Sequence, residues 1–76
     1  MKDLVRVIVE PLVEKPEDIN IQETEKDGVT VIELRVNESD LGKVIGKQGR
    51  TAKAIRTILN AASTRQGKKV TMEIMD

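Results

Sequence analysis

The chain has 76 residues, enough for one domain with a small core, and we predict that residues 1–76 form a single domain. It contains no Phe, Tyr, Trp, Cys or His, which excludes disulfides, thiol nucleophiles, the usual zinc ligand sets and aromatic stacking on RNA bases. The 13 basic and 13 acidic residues balance. Residues 41–69, however, contain no acid and eight cations, namely Lys43, Lys47, Arg50, Lys53, Arg56, Arg65, Lys68 and Lys69. Such asymmetry is typical of nucleic-acid-binding chains.

The first segment has the spacing of an amphipathic helix. Apolar residues recur on one helical face, at Leu4, Val5, Ile8, Val9, Leu12 and Val13. They predict a helix over residues 2–14, and Pro11 should kink it or remove a hydrogen bond near its end. The β-branched residues leave a strand over residues 5–9 as the alternative. Charges interrupt the segment, so it is no signal peptide, and no apolar run reaches the length of a membrane span; we expect a cytoplasmic protein.

Two strands joined by a tight turn follow the helix. Residues 19–26 and residues 29–36 alternate between apolar and polar positions. Asp27-Gly28 between them is typical of a two-residue hairpin turn, because both residues tolerate positive φ. In the second strand, one face carries Thr30, Ile32, Leu34 and Val36. We therefore expect an antiparallel pair that is covered on one face only.

A short helix and a glycine loop are predicted after the hairpin. Asn37, Ser39 or Asp40 can cap the helix, which ends before the loop at residues 46–49. The glycines at both ends of this loop let a ligand approach the backbone closely. Cations follow the loop in the first turn of the next helix, where the helix dipole would favour acids, and this arrangement suits a bound anion.

A longer helix over residues 49–65 and a strand over residues 68–75 complete the chain. The helix stops at Gln66-Gly67, and its apolar face is predicted to contain Ala52, Ile55, Leu59 and Ala62, widened by Ile58 and Ala61. The strand is predicted to point Val70, Met72 and Ile74 inward. Because a helical crossover joins the second and third strands, they should pair in parallel. The predicted fold is α+β, in the order α-β-β-α-α-β, with a three-stranded mixed sheet covered by three helices on one face.

The residues around the loop carry a resemblance to a known family. Val44-Ile45-Gly46-Lys47-Gln48-Gly49, followed by an amphipathic helix, resembles the Ile-Gly-x-x-Gly signature of KH domains, which clamp about four nucleotides. The longer run of residues 40–56 is similar to the bacterial KhpA family of small single-KH RNA-binding proteins. This resemblance implies the type II KH arrangement, in which an extra helix and strand precede the core. It also implies homodimers, complexes with the larger RNA-binding protein KhpB, RNA chaperone activity, and roles in cell shape and cell-wall growth.

The predicted binding site for single-stranded RNA is centred on the loop. Lys47 supplies a point charge to a phosphate and Gln48 a neutral donor, while neighbouring cations set the wider field. The apolar pair before the loop can belong to the core, to the floor beneath the bases, or be divided between the two. The predicted RNA-binding residues are Lys43, Val44, Ile45, Gly46, Lys47, Gln48, Gly49, Arg50 and Lys53.

Other functions fit the residues less well. The loop lacks the spacing of a P-loop and of a dinucleotide-binding fingerprint. The hydroxyl residues have no visible base partner, so we predict neither an enzyme nor a cofactor. A plain turn that needs two glycines remains the simplest alternative for the loop. A small module for protein interaction or dimerisation, without direct RNA binding, remains the alternative function.

Overall fold

The computed structural model describes residues 1–75, and it confirms the predicted order of elements. The helices are α1 (Lys2–Val9), α2 (Leu41–Ile45) and α3 (Arg50–Arg65), and the strands are β1 (Asn20–Lys26), β2 (Val29–Arg35) and β3 (Lys69–Ile74). Short 3₁₀ turns connect them at Glu10–Leu12, Pro16–Asp18, Glu38–Asp40 and Lys47–Gly49. This is the α-β-β-α-α-β order of a type II KH fold.

The first helix is shorter than predicted. It ends at Val9 instead of residue 14, and the chain tightens into the turn Glu10–Leu12 before Val13 becomes extended. Pro11 explains the difference because it has no backbone N–H to donate to the preceding turn of an α-helix. The strand alternative for residues 5–9 is wrong, since these residues lie within α1.

The three strands form one mixed sheet in the order β1-β2-β3. β1 and β2 are antiparallel, while β2 and β3 are parallel, with Ile32 beside Met72. Asp27 and Gly28 have φ values of 53° and 78°, as the predicted hairpin turn requires. The helical crossover thus places β3 at a free edge of the sheet, next to α3.

The core lies between one face of the sheet and the three helices. The alternation predicted for β2 and β3 is confirmed, because Thr30, Ile32, Leu34, Val70 and Met72 are buried and their neighbours are more exposed. Val36 and Ile74, also predicted to point inward, are partly buried against the core. The buried apolar cluster consists of Val5, Val9, Ile19, Ile21, Ile32, Leu34, Val44, Ile55, Leu59, Val70 and Met72. None of the helices formed within residues 1–75 is both long and apolar enough to cross a bilayer.

The buried face of α3 differs from the prediction at three positions. Ala52, Ile55 and Leu59 are buried as predicted, but Ile58 is 46% exposed and Ala61 is also exposed. Ser63 is buried instead, and its hydroxyl donates a hydrogen bond to the carbonyl of Asn60 at 3.0 Å. The buried positions follow the 3.6-residue period, whereas Ile58 is rotated about 100° from Leu59 and points away from the sheet.

The end of α3 is a Schellman motif, as the predicted stop at Gln66-Gly67 suggests. Gly67 has φ 69°, and its N–H donates to the carbonyl of Thr64 at 3.0 Å. The N–H of Lys68 donates to the carbonyl of Ser63 at 2.9 Å. These two bonds satisfy carbonyls that the helix leaves open and turn the chain into β3.

Candidate nucleic-acid interface

Gly46 joins α2 to the loop in a conformation that only glycine adopts readily. Its φ and ψ are 78° and 169°, and its N–H donates to the carbonyl of Gly42 at 2.8 Å. A Cβ atom at this position would lie 2.8 Å from the backbone nitrogen of Thr51 and would also collide with the Thr51 side chain. The first glycine of the motif therefore lets α2 end directly against the start of α3.

The rest of the loop presents its backbone to solvent. The N–H groups of Gly49 and Arg50 donate to the carbonyls of Gly46 and Lys47, but within residues 1–75 the N–H groups of Lys47 and Gln48 have no acceptor. Gln48 has φ 59°, a left-handed conformation that is uncommon outside glycine. The side chains of Lys47 and Gln48 are exposed, as predicted. Successive free N–H groups in such a turn form a concave binding place for anions.

The apolar pair before the loop is divided between two environments. Val44 is completely buried and belongs to the core, whereas Ile45 is 36% exposed. Neighbouring residues of a helix differ by about 100° in direction, and in α2 this rotation leaves Val44 facing the core and Ile45 at the exposed border. The structure thus resolves a choice that the sequence left open.

The predicted cations near the loop fall into two groups. Arg50 and Lys53 lie on the exposed surface of the first turn of α3, and like Lys47 they form no ion pair within residues 1–75. Lys43 differs, because its Nζ lies 2.8 Å from Glu14 Oε1 and 3.5 Å from Asp40 Oδ1. Its charge is already compensated by Glu14, which is distant in the sequence, and by Asp40, three residues before it.

Asp40 is the centre of this polar cluster. Its side chain is 1% exposed, and its two oxygens accept the N–H groups of Glu14 at 3.1 Å and Lys15 at 3.0 Å. The Asp40 side chain therefore makes no capping bond to α2. Of the three predicted caps, Asn37 is the one that forms, because its side chain accepts the N–H of Ser39 at 2.9 Å. The long-range bonds fasten the segment after α1 to the start of α2.

The same contacts shift two pKa values. The hydrogen bond from the Glu14 N–H, helped by Lys15 and Lys43, holds the pKa of Asp40 below its ordinary value, although burial acts in the opposite direction. The hydrogen bond with Glu14 raises the pKa of Lys43, and Asp40 adds to this effect. Both groups are therefore charged near neutral pH and hold each other in place.

A groove between α3 and β3 was missed by the sequence analysis. It encloses about 230 Å³ and is lined by Arg56, Leu59, Asn60, Val70, Thr71 and Met72. Arg56 reaches across the groove and donates from Nε to the carbonyl of Met72 at 3.3 Å. The sequence did contain a signal, because Arg56 lies one helical turn after Lys53 and directly beside the buried face of α3.

Comparison with known proteins identifies the family. The model of the KH domain of KhpA and KhpB matches residues 2–74. The chain belongs to this KhpA/KhpB family of KH domains. The RNA-binding protein KhpA of Clostridium perfringens is 51% identical over 75 residues, covering 99% of this chain and 100% of that protein. The RNA-binding protein KhpA of Bacillus subtilis is 53% identical over 76 residues, covering 100% and 94%.

A third relative shows a similar degree of identity. The RNA-binding protein KhpA of Aquifex aeolicus is 46% identical over 76 residues, covering 100% of this chain and 96% of that protein. Membership of the KhpA/KhpB family confirms the resemblance predicted from residues 40–56. It also confirms the prediction that the chain is not an enzyme, because the family is one of binding proteins.

Proposed function

We propose that the chain is a single KH domain that binds single-stranded RNA at the loop of residues 46–49. The observation that carries this proposal is the pair of free N–H groups of Lys47 and Gln48 on an exposed loop with uncompensated cations beside it. Free backbone donors and positive charge together recognise a phosphate. The names of the KhpA relatives, which describe RNA-binding proteins, support the same function.

The residues of the loop make different contacts with the RNA backbone. The two free N–H groups contact a phosphate, and Gly46 and Gly49 keep that approach open because they carry no side chain. Lys47 adds a point charge and Gln48 a neutral donor. Arg50 and Lys53 attract the RNA over longer distances, so they raise the association rate.

The neighbouring residues support the loop in different ways. Lys43 contributes least to the attraction, since Glu14 and Asp40 compensate its charge; its main role is to hold α2 in position. Val44 anchors α2 in the core, while the exposed part of Ile45 is available for contact with a base. The bases lie over the groove between α3 and β3, where the floor is apolar.

A double substitution tests this proposal without disturbing the core. Lys47→Asp combined with Gln48→Asp places negative charge against the phosphate, and Asp tolerates the left-handed conformation at position 48. We expect the affinity for a short single-stranded RNA to fall at least about tenfold, measured by fluorescence anisotropy. The melting temperature should barely change, since exposed loop substitutions usually alter stability by less than about 0.5 kcal/mol.

The matched control carries the same change of charge on the other face of the sheet. Gln22→Asp combined with Lys26→Asp alters two exposed positions of β1 that point away from the helices. We expect this control to retain most of the RNA affinity, and the parent protein to bind more weakly as salt rises. Equal binding by the parent and the loop variant, with both folded, would mean that the loop is not the clamp.

We further propose that the protein acts in the cytoplasm with protein partners, as a homodimer and with a KhpB-like protein, in RNA chaperone activity linked to cell shape and cell-wall growth. The family name, which joins KhpA to KhpB, supports the partner. Exposed apolar side chains at Val7 (71%) and Ile58 (46%) support a protein contact. Light scattering over a concentration series, with and without a KhpB-like protein, tests the association with protein partners. A constant monomer mass in both series would refute this association.

A further inference from the structure

A buried carboxylate lies at the start of α2 and takes no part in the contacts proposed for RNA. The side chain of Asp40 is only 1% exposed, although a charge is costly to remove from water unless it is well hydrogen-bonded. Its two oxygens accept the backbone N–H groups of Glu14 and Lys15, at 3.1 Å and 3.0 Å. Both donors lie between the turns Glu10–Leu12 and Pro16–Asp18, outside the α-helices and strands. Asp40 therefore ties this irregular segment to α2.

The direction of α2 depends on what holds its two ends. The helix has five residues, and Val44 is the only buried one among them. One buried side chain fixes a point on a short helix more firmly than it fixes the direction of the helix. The end of α2 is fixed by the close approach of Gly46 to Thr51, and its start by Asp40, which directly precedes Leu41. The two ends together set the direction in which α2 delivers the loop.

We propose that Asp40 is a positioning residue for RNA binding, which holds α2 so that both free N–H groups of the loop reach the same phosphate. This inference rests on the proposed function, because it requires that the loop is the RNA clamp. Groups that bind one ligand together must be held within about 0.5 Å of the productive geometry. Without the bonds to the segment after α1, the start of α2 is free to shift, and the two donors no longer converge.

The direction of the change in affinity distinguishes positioning from charge. Asp40 is a negative charge near an RNA site, so the loss of its charge alone should strengthen RNA binding. Asp40→Asn also replaces one acceptor oxygen by an amide nitrogen, which cannot accept the N–H of Glu14 or Lys15. Positioning therefore predicts the opposite change. We expect Asp40→Asn to bind a short single-stranded RNA at least about threefold more weakly than the parent protein, measured by fluorescence anisotropy.

Two neighbouring acids provide matched controls for the change of charge. Glu38→Gln removes an exposed carboxylate from the same 3₁₀ turn. Glu14→Gln removes the ion pair with Lys43 but keeps the backbone N–H that Asp40 accepts. Because both variants retain the bonds of Asp40 to the backbone, they should bind RNA at least as tightly as the parent. Unchanged or stronger binding by Asp40→Asn, like that of these controls, would overturn the inference.

The dissociation rate distinguishes positioning from a loss of stability. Unfolded molecules lower the fraction of protein that can bind, but they do not change how fast RNA leaves the folded ones. Misplaced donors weaken the complex itself, so Asp40→Asn should release RNA at least about threefold faster in stopped-flow anisotropy. Ile21→Ala, which opens a cavity in the core at β1, is the stability control and should release RNA at the parent rate. Equal rates for Asp40→Asn and the parent would refute the role of Asp40.

Hydrogen exchange on the unaltered protein decides the question if Asp40→Asn does not fold. Coupling between two sites is reciprocal, so RNA at the loop should slow the local exchange of the Glu14 and Lys15 amides that Asp40 accepts. The amides of Lys26 and Val29, at the turn of the hairpin, are the control and should not respond. Exchange at Glu14 and Lys15 that RNA leaves unchanged would contradict the coupling.

Failure of this inference can be told apart from failure of the proposed function. If the parent binds no RNA, or if Lys47→Asp with Gln48→Asp leaves binding unchanged, the loop is not the clamp and both proposals are wrong. If the parent binds through the loop but Asp40→Asn keeps the parent affinity and dissociation rate, only the positioning role of Asp40 is refuted.

Discussion

The α-carbon of Gly46 faces the backbone of Thr51 so closely that a Cβ atom on Gly46 would lie 2.8 Å from the Thr51 nitrogen. The other two glycines of this region are different. Around Gly42 and Gly49 a Cβ atom would meet nothing within 4 Å, and only Gly49 of these two has a positive φ, at 73°. Replacing Gly46 therefore meets both a steric clash and backbone strain, replacing Gly49 meets backbone strain alone, and replacing Gly42 meets neither.

We expect Gly46→Ala to be strongly destabilising, by roughly 2–6 kcal/mol, because strain and overpacking act together. Gly49→Ala should cost about 1–2 kcal/mol from its left-handed conformation alone. Gly42→Ala should stabilise α2 by about 0.5–1 kcal/mol, since it lies within the helix. Urea unfolding of the three variants measures these differences. A Gly46→Ala variant as stable as Gly42→Ala would contradict the close approach of α2 and α3.

The neighbours Val44 and Ile45 should respond to substitution in opposite ways. Val44→Ala removes buried methyl groups, so we expect the free energy of unfolding to fall by roughly 2 kcal/mol. Ile45→Ala should change stability less, because the side chain is partly exposed, and should weaken RNA binding instead. Chemical unfolding and anisotropy on both variants provide the comparison. Greater loss of stability in Ile45→Ala would reverse the assignment.

Two isoleucines of α3 allow a matched test of which side of the helix faces the core. Ile55 is 2% exposed and Ile58 is 46% exposed, although both lie in the same helix. Ile55→Ala should cost roughly 2–5 kcal/mol because it leaves a cavity. Ile58→Ala should alter the stability of the monomer by about 0.5 kcal/mol or less. If Ile58→Ala weakens self-association in light scattering while leaving monomer stability intact, that side chain belongs to a protein contact.

Acid should weaken the attachment of the segment after α1 to α2. The backbone N–H groups of Glu14 and Lys15, together with Lys43, lower the pKa of Asp40 below its ordinary value of 3.8. The Asp40 carboxylate therefore contributes its full stabilisation above that pH. The contribution is lost as the pH falls through the lower pKa of the folded state. The raised pKa of Lys43 has the opposite consequence, since its contribution is complete below 10.5 and is lost at higher pH.

The test is urea unfolding of Asp40→Asn between pH 7 and pH 2. We expect this variant to be less stable than the parent at pH 7 and to lose less stability on acidification. Asp27→Asn is the control, because Asn-Gly forms the same hairpin turn and the Asp27 carboxylate is exposed. Parallel pH profiles for the parent and Asp40→Asn would show that the Asp40 carboxylate is not a source of acid sensitivity.

The sequence by itself determined the features that depend on a few neighbouring residues. The Asp27-Gly28 turn, the alternation in β2 and the stop at Gln66-Gly67 follow from local φ preferences and from periodicity. The glycine loop was predictable for the same reason, because its spacing and its surrounding charges are visible in one continuous run. These signals were sufficient for the order of elements and for the family.

Only the tertiary structure decided which residues meet across the chain. It buried Val44 and exposed Ile45, and it selected Ser63 instead of Ile58 for the inner face of α3. The bonds that Asp40 accepts from the N–H groups of Glu14 and Lys15 span 26 and 25 residues, and the bond that Arg56 donates to Met72 spans 16. Periodicity indicates that a face is apolar, but the buried edge of that face and the polar partners beside it depend on the angle at which distant elements pack.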